Sequence, residues 1–128
     1  MKVLVTGAKG FIGKNLIAEL ERLDNVTVFG FDVDTESSLL DEYCKDCDFV
    51  FNLAGVNRPE TVEEFMEGNF GFATTLVETL KKYNVCHCCY GHLHGPTIRR
   101  RLEGNRGGIE FSLISADYLE FIPKKICE

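Results

Sequence analysis

Short apolar runs alternate with longer amphipathic stretches over the first 84 residues. The runs are rich in β-branched and aromatic side chains, which predicts buried strands at Lys2–Thr6, 26–31 and 48–53. The amphipathic stretches place apolar side chains three or four positions apart, which predicts helices at 11–23, 35–44 and 61–84. We expect Thr35 to cap the second helix, and the third helix to be broken around residues 68–71.

The order of these elements predicts an α/β fold. Strand and helix alternate three times, which is typical of a parallel sheet covered on both faces, here half of a doubly wound fold. With right-handed crossovers, we expect the strand order 3-2-1 or its continuation. Residues 85–128 form an atypical tail, for which the sequence predicts one strand near residues 85–90, placed beside the first strand, and then irregular chain.

A glycine-rich turn, VTGAKGFIG, joins the first predicted strand to the first helix. In such a turn Gly7 permits the sharp reversal, Gly10 lets the backbone approach a pyrophosphate, and Gly13 lets helix and strand pack closely. The free amides at the start of the helix then face the phosphate charge. Asp32 lies 19 residues beyond Gly13, at the end of the second strand, where a carboxylate can accept the ribose hydroxyls. These features predict a dinucleotide-binding site on a partial Rossmann-like sheet.

The G-x-x-G-x-x-G spacing resembles that of the extended short-chain dehydrogenase/reductases, the epimerases and dehydratases that act on nucleotide sugars. Two later segments are also similar to that family, DFVFNLAGVNRPE at residues 48–60 and GNFGFATTLVETLKK at residues 68–82. The segment NLAGVNRPE is similar to one in the reductase lobe of capsular-polysaccharide enzymes that make N-acetyl-L-fucosamine precursors. In those enzymes the reductase lobe is usually fused to a cupin-like epimerase lobe. The resemblance covers residues 1 to about 84.

This resemblance implies a set of contacts and partners. The implied cofactor-binding residues are Gly7, Lys9, Gly10, Phe11, Ile12, Gly13, Asp32, Leu53, Ala54 and Gly55. A nucleotide-sugar substrate would lie near Asn57 and Arg58, and Asn69 would brace the active-site strand. The resemblance also implies a homodimer for the full-length enzymes.

The charges around the predicted site bear on the choice of cofactor. Asp32 favours NAD, because a carboxylate repels the 2′-phosphate of NADP. Lys9 and Lys14 leave NADP possible, since either side chain could reach a phosphate, although both also fit as solvated lysines at the start of a helix.

The catalytic residues of the family have no counterpart in this sequence. The family uses a Ser or Thr together with Tyr-x-x-x-Lys, in which the lysine lowers the pKa of the tyrosine acid/base. Here the residues four positions after Tyr43, Tyr83, Tyr90 and Tyr118 are Cys47, His87, His94 and Ile122. We therefore expect no catalytic residue, and a fragment that binds the ADP half of NAD weakly and is inactive.

Residues 85–108 have an unusual composition, with three cysteines, all three histidines and an arginine triplet. One interpretation is a small metal-binding or interaction protein that uses this tail on a half-Rossmann scaffold. Its candidate zinc ligands are Cys86, His87, Cys88, Cys89, His92 and His94, with Cys44 and Cys47 as further candidates. Alternate strand residues point to opposite faces and the paired C-x-x-C spacing is missing, so we expect no metal. The favoured interpretation is a truncated, frame-shifted product, because back-translation of residues 110–122 in a shifted frame permits RLPGVY, similar to a segment of nucleotide-sugar reductases.

Composition narrows the class of protein further. A net charge of −6 argues against a broad surface for nucleic acid or anionic membranes. No apolar run approaches the ~20 residues of a membrane span, and the N-terminal residues lack the apolar core of a signal peptide. The six cysteines are then interpreted as thiols, and the expected location is the cytoplasm.

Overall fold

The computed structural model describes residues 1–56, 59–91, 93 and 95–125, and divides the chain into two units, Met1–Tyr83 and Asn84–Glu128. The first unit contains strands β1 (Lys2–Thr6), β2 (Thr27–Phe31) and β3 (Phe49–Asn52), and helices α1 (Phe11–Leu20), α2 (Ser38–Asp46), α3 (Val62–Phe65) and α4 (Phe72–Lys81). All three strands run parallel. The predicted α/β fold with a parallel sheet is confirmed.

The strand order is β2-β1-β3, so the predicted order 3-2-1 is wrong. The third strand crosses to the other side of β1, where Leu4 pairs with Val50 as it pairs with Phe29 of β2. The physical reason lies in burial. The side chains of β1 from Val3 to Thr6 are at most 1% exposed, whereas β2 buries only Phe31. β1 is the most deeply buried of the three strands, because at the central position both of its faces and both of its edges are covered.

Helices α2 and α4 pack against each other beside the sheet. Their buried side chains are Leu40 and Cys44 from α2, and Leu76, Thr79 and Leu80 from α4. Aromatic stacking ties both helices to β2, with ring centroids 4.9 Å apart for Phe29–Tyr43 and 5.9 Å apart for Phe31–Phe72. These contacts fix the end of β2.

Two local predictions need correction. Thr35 does not cap α2, which begins three residues later; its hydroxyl instead accepts a hydrogen bond from the Asp32 amide at 2.9 Å within a tight turn. The predicted break near residues 68–71 is a π-helical turn, Met66–Gly71, which joins α3 to α4 without interruption. The glycines there do not end the helix, since Gly71 has right-handed helical angles, φ of −61° and ψ of −53°, and Gly68 is not among the glycines with positive φ.

The second unit contains a separate sheet of strands β4 (His87–Tyr90), β5 (Gly104–Arg106) and β6 (Ile109–Leu113) in the order β4-β6-β5. The strand predicted near residues 85–90 exists, but it pairs with β6 and does not extend the first sheet. The expectation of irregular chain after it is also wrong. Ile109 and Leu113 are 4% and 1% exposed, so β6 has a buried face of its own.

A hairpin explains the strands that the composition did not predict. Gly107 and Gly108 both have positive φ, 60° and 88°, and they form the two-residue loop between Arg106 and Ile109, which pair across β5 and β6. A Gly-Gly loop between two extended runs is a known hairpin signal. The segment was instead predicted to be irregular because it is rich in arginine and glycine. None of the helices in the described part of the chain has the length and apolar character needed to cross a bilayer.

Candidate functional site

The turn after β1 is fixed by glycine at its first position. Gly7 has φ of +65°, and a Cβ there would lie 2.7 Å from the carbonyl oxygen of Leu53. The amide of Gly10 donates to the carbonyl of Gly7 at 3.0 Å, which closes the turn. A side chain at position 7 would therefore push the turn away from the end of β3.

Gly13 fills a different role from Gly10. A Cβ on the buried Gly13 would lie 2.2 Å from the Gly7 carbonyl oxygen, so the first turn of α1 packs directly on the glycine turn. A Cβ on the exposed Gly10 would meet that oxygen at 3.2 Å. Gly10 is the N-terminal cap of α1 and has no side chain, so no cap side chain accepts from the first amides of the helix, those of Phe11 and Ile12.

The carboxyl ends of β1 and β3 are joined beside this turn. The hydroxyl of the fully buried Thr6 donates to the Asn52 side-chain oxygen at 2.6 Å and accepts from the Ala54 amide at 3.3 Å. The crossover through α1 leads from β1 to β2, and the crossover through α2 leads from β2 back past β1 to β3 on its other side. In open α/β sheets such a reversal creates a crevice at the carboxyl ends of the strands, and ligands bind there. Leu53 and Ala54 directly follow β3 at these carboxyl ends.

The Asp32 side chain lies against the glycine turn. One carboxylate oxygen accepts from the Lys9 amide at 2.7 Å, and the other accepts from the Val33 amide at 2.8 Å. These bonds hold the carboxylate beside the second position of the turn. The ammonium of Lys9 forms an ion pair with Asp34. The hydrogen bond from Lys9 is the main cause that holds the pKa of the Asp34 carboxyl below its usual value.

Asn69 connects the π-helical turn to the chain that follows β3. Its side-chain oxygen accepts from the Val56 amide at 2.9 Å, and its side-chain amide donates to the carbonyls of Val56 and Phe65, both at 3.1 Å. Gly55 is required next to it, because a Cβ there would lie 2.8 Å from the Asn69 oxygen. Asn69 therefore positions the segment that carries Gly55 past the crevice.

We predict that Asn69→Ala loosens this segment. The substitution leaves the amide and the carbonyl of Val56 without their partner, which costs about 1–3 kcal/mol of unfolding free energy. Hydrogen–deuterium exchange should become faster at Val56. Asn15→Ala is the matched control, because Asn15 makes only a local bond to Phe11 within α1. Unchanged exchange at Val56 would show that Asn69 does not brace it.

Part of the predicted site cannot be placed, and part was missed. The predicted substrate residues, Asn57 and Arg58, lie outside the described residues. Thr6 and Asp34 were not among the residues predicted for the site. No sequence pattern relates either residue to its partner, because the side chains of Thr6 and Asn52 are 46 positions apart, and those of Lys9 and Asp34 are 25 positions apart.

Three of the described thiols, those of Cys44, Cys47 and Cys88, are poorly suited to metal binding. Burial raises the pKa of the Cys44 thiol to about 12, and it also raises the pKa of Cys47 and of Cys88, so these sulfurs stay protonated at neutral pH. Within residues 1–56, 59–91, 93 and 95–125, no three cysteine, histidine or carboxylate side chains cluster as a metal site. His92 and His94 lie outside these ranges.

Comparison with known proteins identifies the family. The model of the NAD dependent epimerase/dehydratase family matches residues 3–105, which is most of the chain. This chain belongs to the NAD dependent epimerase/dehydratase family. The cofactor of that family is NAD, in agreement with the prediction from Asp32.

A curated relative is, by its name, a reductase of a UDP-linked sugar. A UDP-2-acetamido-2,6-beta-L-arabino-hexul-4-ose reductase of Pseudomonas aeruginosa is 46% identical over 81 residues, which is 63% of this chain and 22% of the relative. The chain thus matches about a fifth of that reductase.

Two solved structures show how the fold compares. The capsular polysaccharide assembling protein CapF of Staphylococcus aureus is 33% identical, with a TM-score of 0.56 over 71% of this chain and 26% of CapF. A UDP-glucuronic acid 4-epimerase of Bacillus cereus, solved in complex with NAD, has a TM-score of 0.61 over 71% of this chain and 39% of the epimerase. At 21% identity, the epimerase supports the fold alone.

Proposed function

We propose that the first unit is the NAD-binding part of a nucleotide-sugar reductase or epimerase, and that it binds the ADP half of NAD at the carboxyl ends of β1 and β2. The observation that carries this proposal is the fixed position of Asp32 against the glycine turn. The first amides of α1 would bind the pyrophosphate, and the Asp32 carboxylate would accept the adenosine ribose hydroxyls. Leu53, Ala54 and Gly55 would line the cleft beyond them.

Some of the proposed residues shape the glycine turn, and others contact the cofactor directly. Gly7 and Gly13 shape the turn, while Gly10, Phe11 and Ile12 present backbone to the phosphates. Phe11 and Ile12 are 86% and 65% exposed, so their apolar side chains are available to a ligand at the start of α1. When NAD is bound, the nicotinamide ring supplies the hydride chemistry; the described residues hold and orient the adenosine end.

The substrate proposal rests on the relatives. We infer a UDP-linked keto sugar and a role in capsular or surface polysaccharide synthesis, since the matched proteins are a UDP-sugar reductase and a capsular polysaccharide assembling protein. A homodimer of full-length members is proposed from the family resemblance alone. We further propose that this chain alone is inactive, because no tyrosine is followed by lysine four positions later. A cytoplasmic location fits the free thiols of the five cysteines that the structure describes.

Calorimetric titration of the full chain with ADP-ribose and NAD tests this proposal. We predict that the chain binds both ligands, and that Asp32→Asn weakens each about tenfold, because the charged acceptor of the ribose hydroxyls is lost. Asp46→Asn is the matched control, since Asp46 pairs with Lys2 at the opposite end of β1. Equal titrations for the wild type and Asp32→Asn would contradict the site, and hydride transfer to a keto sugar nucleotide would contradict the inactive state.

A further inference from the structure

Lys9 lies between two carboxylates at the edge of the proposed ribose site. Its backbone amide donates to Asp32, and its ammonium is paired with Asp34, two residues further along the chain. The Lys9 and Asp34 side chains are 63% and 59% exposed, so the pair lies at the surface. Lys9 is thus anchored through its backbone beside the ribose site while its charge is directed to a different acid.

We propose that Asp34 determines the choice between NAD and NADP by occupying the ammonium of Lys9. This inference rests on the proposed function, because it assumes that the adenosine ribose binds at Asp32. A 2′-phosphate on that ribose would lie next to the residue whose amide Asp32 accepts, within reach of a flexible lysine side chain. Asp34 removes that potential phosphate ligand by pairing with its ammonium.

The ion pair between Lys9 and Asp34 is weak enough to be broken without loss of the fold. An exposed lysine–carboxylate pair contributes little free energy, because water and salt screen it. Loss of the Asp34 charge therefore releases Lys9 without unfolding the turn, which is held by the backbone bonds of Gly10 and Lys9. A released ammonium can then form a charge-assisted hydrogen bond to a 2′-phosphate.

Calorimetry with ADP-ribose and 2′-phospho-ADP-ribose tests this inference without requiring turnover. We expect Asp34→Asn to increase the affinity for 2′-phospho-ADP-ribose by up to about fivefold, and to change the affinity for ADP-ribose less than about twofold. Adding Lys9→Met to Asp34→Asn should remove the gain, since the gain depends on the released ammonium. Higher salt should reduce it as well.

Asp46→Asn is again the matched control, because it breaks another exposed lysine–aspartate pair in the same unit, and it should leave both affinities unchanged. Equal changes for the two ligands in Asp34→Asn would overturn the role of Asp34, as would a gain that survives Lys9→Met. ADP-ribose binding by the wild type would in that case leave the proposed function intact. A wild-type chain that binds neither ligand would overturn both.

Discussion

Gly13→Ala is expected to destabilise the first unit by about 3 kcal/mol or more. The new Cβ would lie 2.2 Å from the Gly7 carbonyl oxygen and 3.0 Å from Ala8 Cα, and both neighbours are backbone atoms. To relieve the overlap, α1 must move away from the turn, and this exposes the apolar contact between helix and strand. Urea unfolding followed by circular dichroism measures the change.

Gly13→Ala is expected to lower the free energy of unfolding, which is the opposite of what the same change does at most helical positions. In an exposed helix interior, replacing glycine by alanine normally stabilises a protein by roughly 1 kcal/mol. Gly71→Ala provides that reference within the same unit, since its Cβ would meet nothing closer than the Met66 carbonyl oxygen at 3.8 Å. If Gly13→Ala raised the free energy of unfolding as Gly71→Ala is expected to, the close packing of α1 on the turn would be refuted.

Gly10→Val is expected to abolish ADP-ribose binding while the fold remains intact. Gly10 has φ of −68°, which any residue adopts, and its closest Cβ contact is 3.2 Å from a single carbonyl oxygen. The cost to stability should therefore stay near 1 kcal/mol. The valine side chain, however, occupies the space through which the backbone approaches the pyrophosphate. The affinity should fall at least about a hundredfold, because the phosphates lose their amide donors.

Comparison with Gly71→Val separates the two effects. That variant places the same side chain in the same unit, away from the glycine turn, and should bind ADP-ribose like the wild type. A Gly10→Val chain with wild-type affinity would refute the pyrophosphate site. A Gly10→Val chain that unfolds would refute the separation between the shaping role of Gly13 and the binding role of Gly10.

The strands and helices of the first unit were predictable from local sequence patterns, because the formation of each depends on residues close to it in the chain. The parallel strands follow from short apolar runs, and α1 from the periodic apolar side chains after the glycine turn. The ends of the elements were less accurate. Thr35 looked like a helix cap, but its hydroxyl bonds to the Asp32 amide in a turn, because an ST-type turn and a helix cap use the same residue types.

By itself, then, the sequence determined the α/β class, the glycine turn and the presence of an acid at the end of β2, since each is written in contiguous residues. Only the tertiary structure decided that β1 is central, that β4 joins a second sheet, and that Lys9 is paired with Asp34. The physical reason is that strand neighbours and ion pairs are chosen by competition among distant segments for burial and for charge. The spacing of residues along the chain does not record the outcome of that competition.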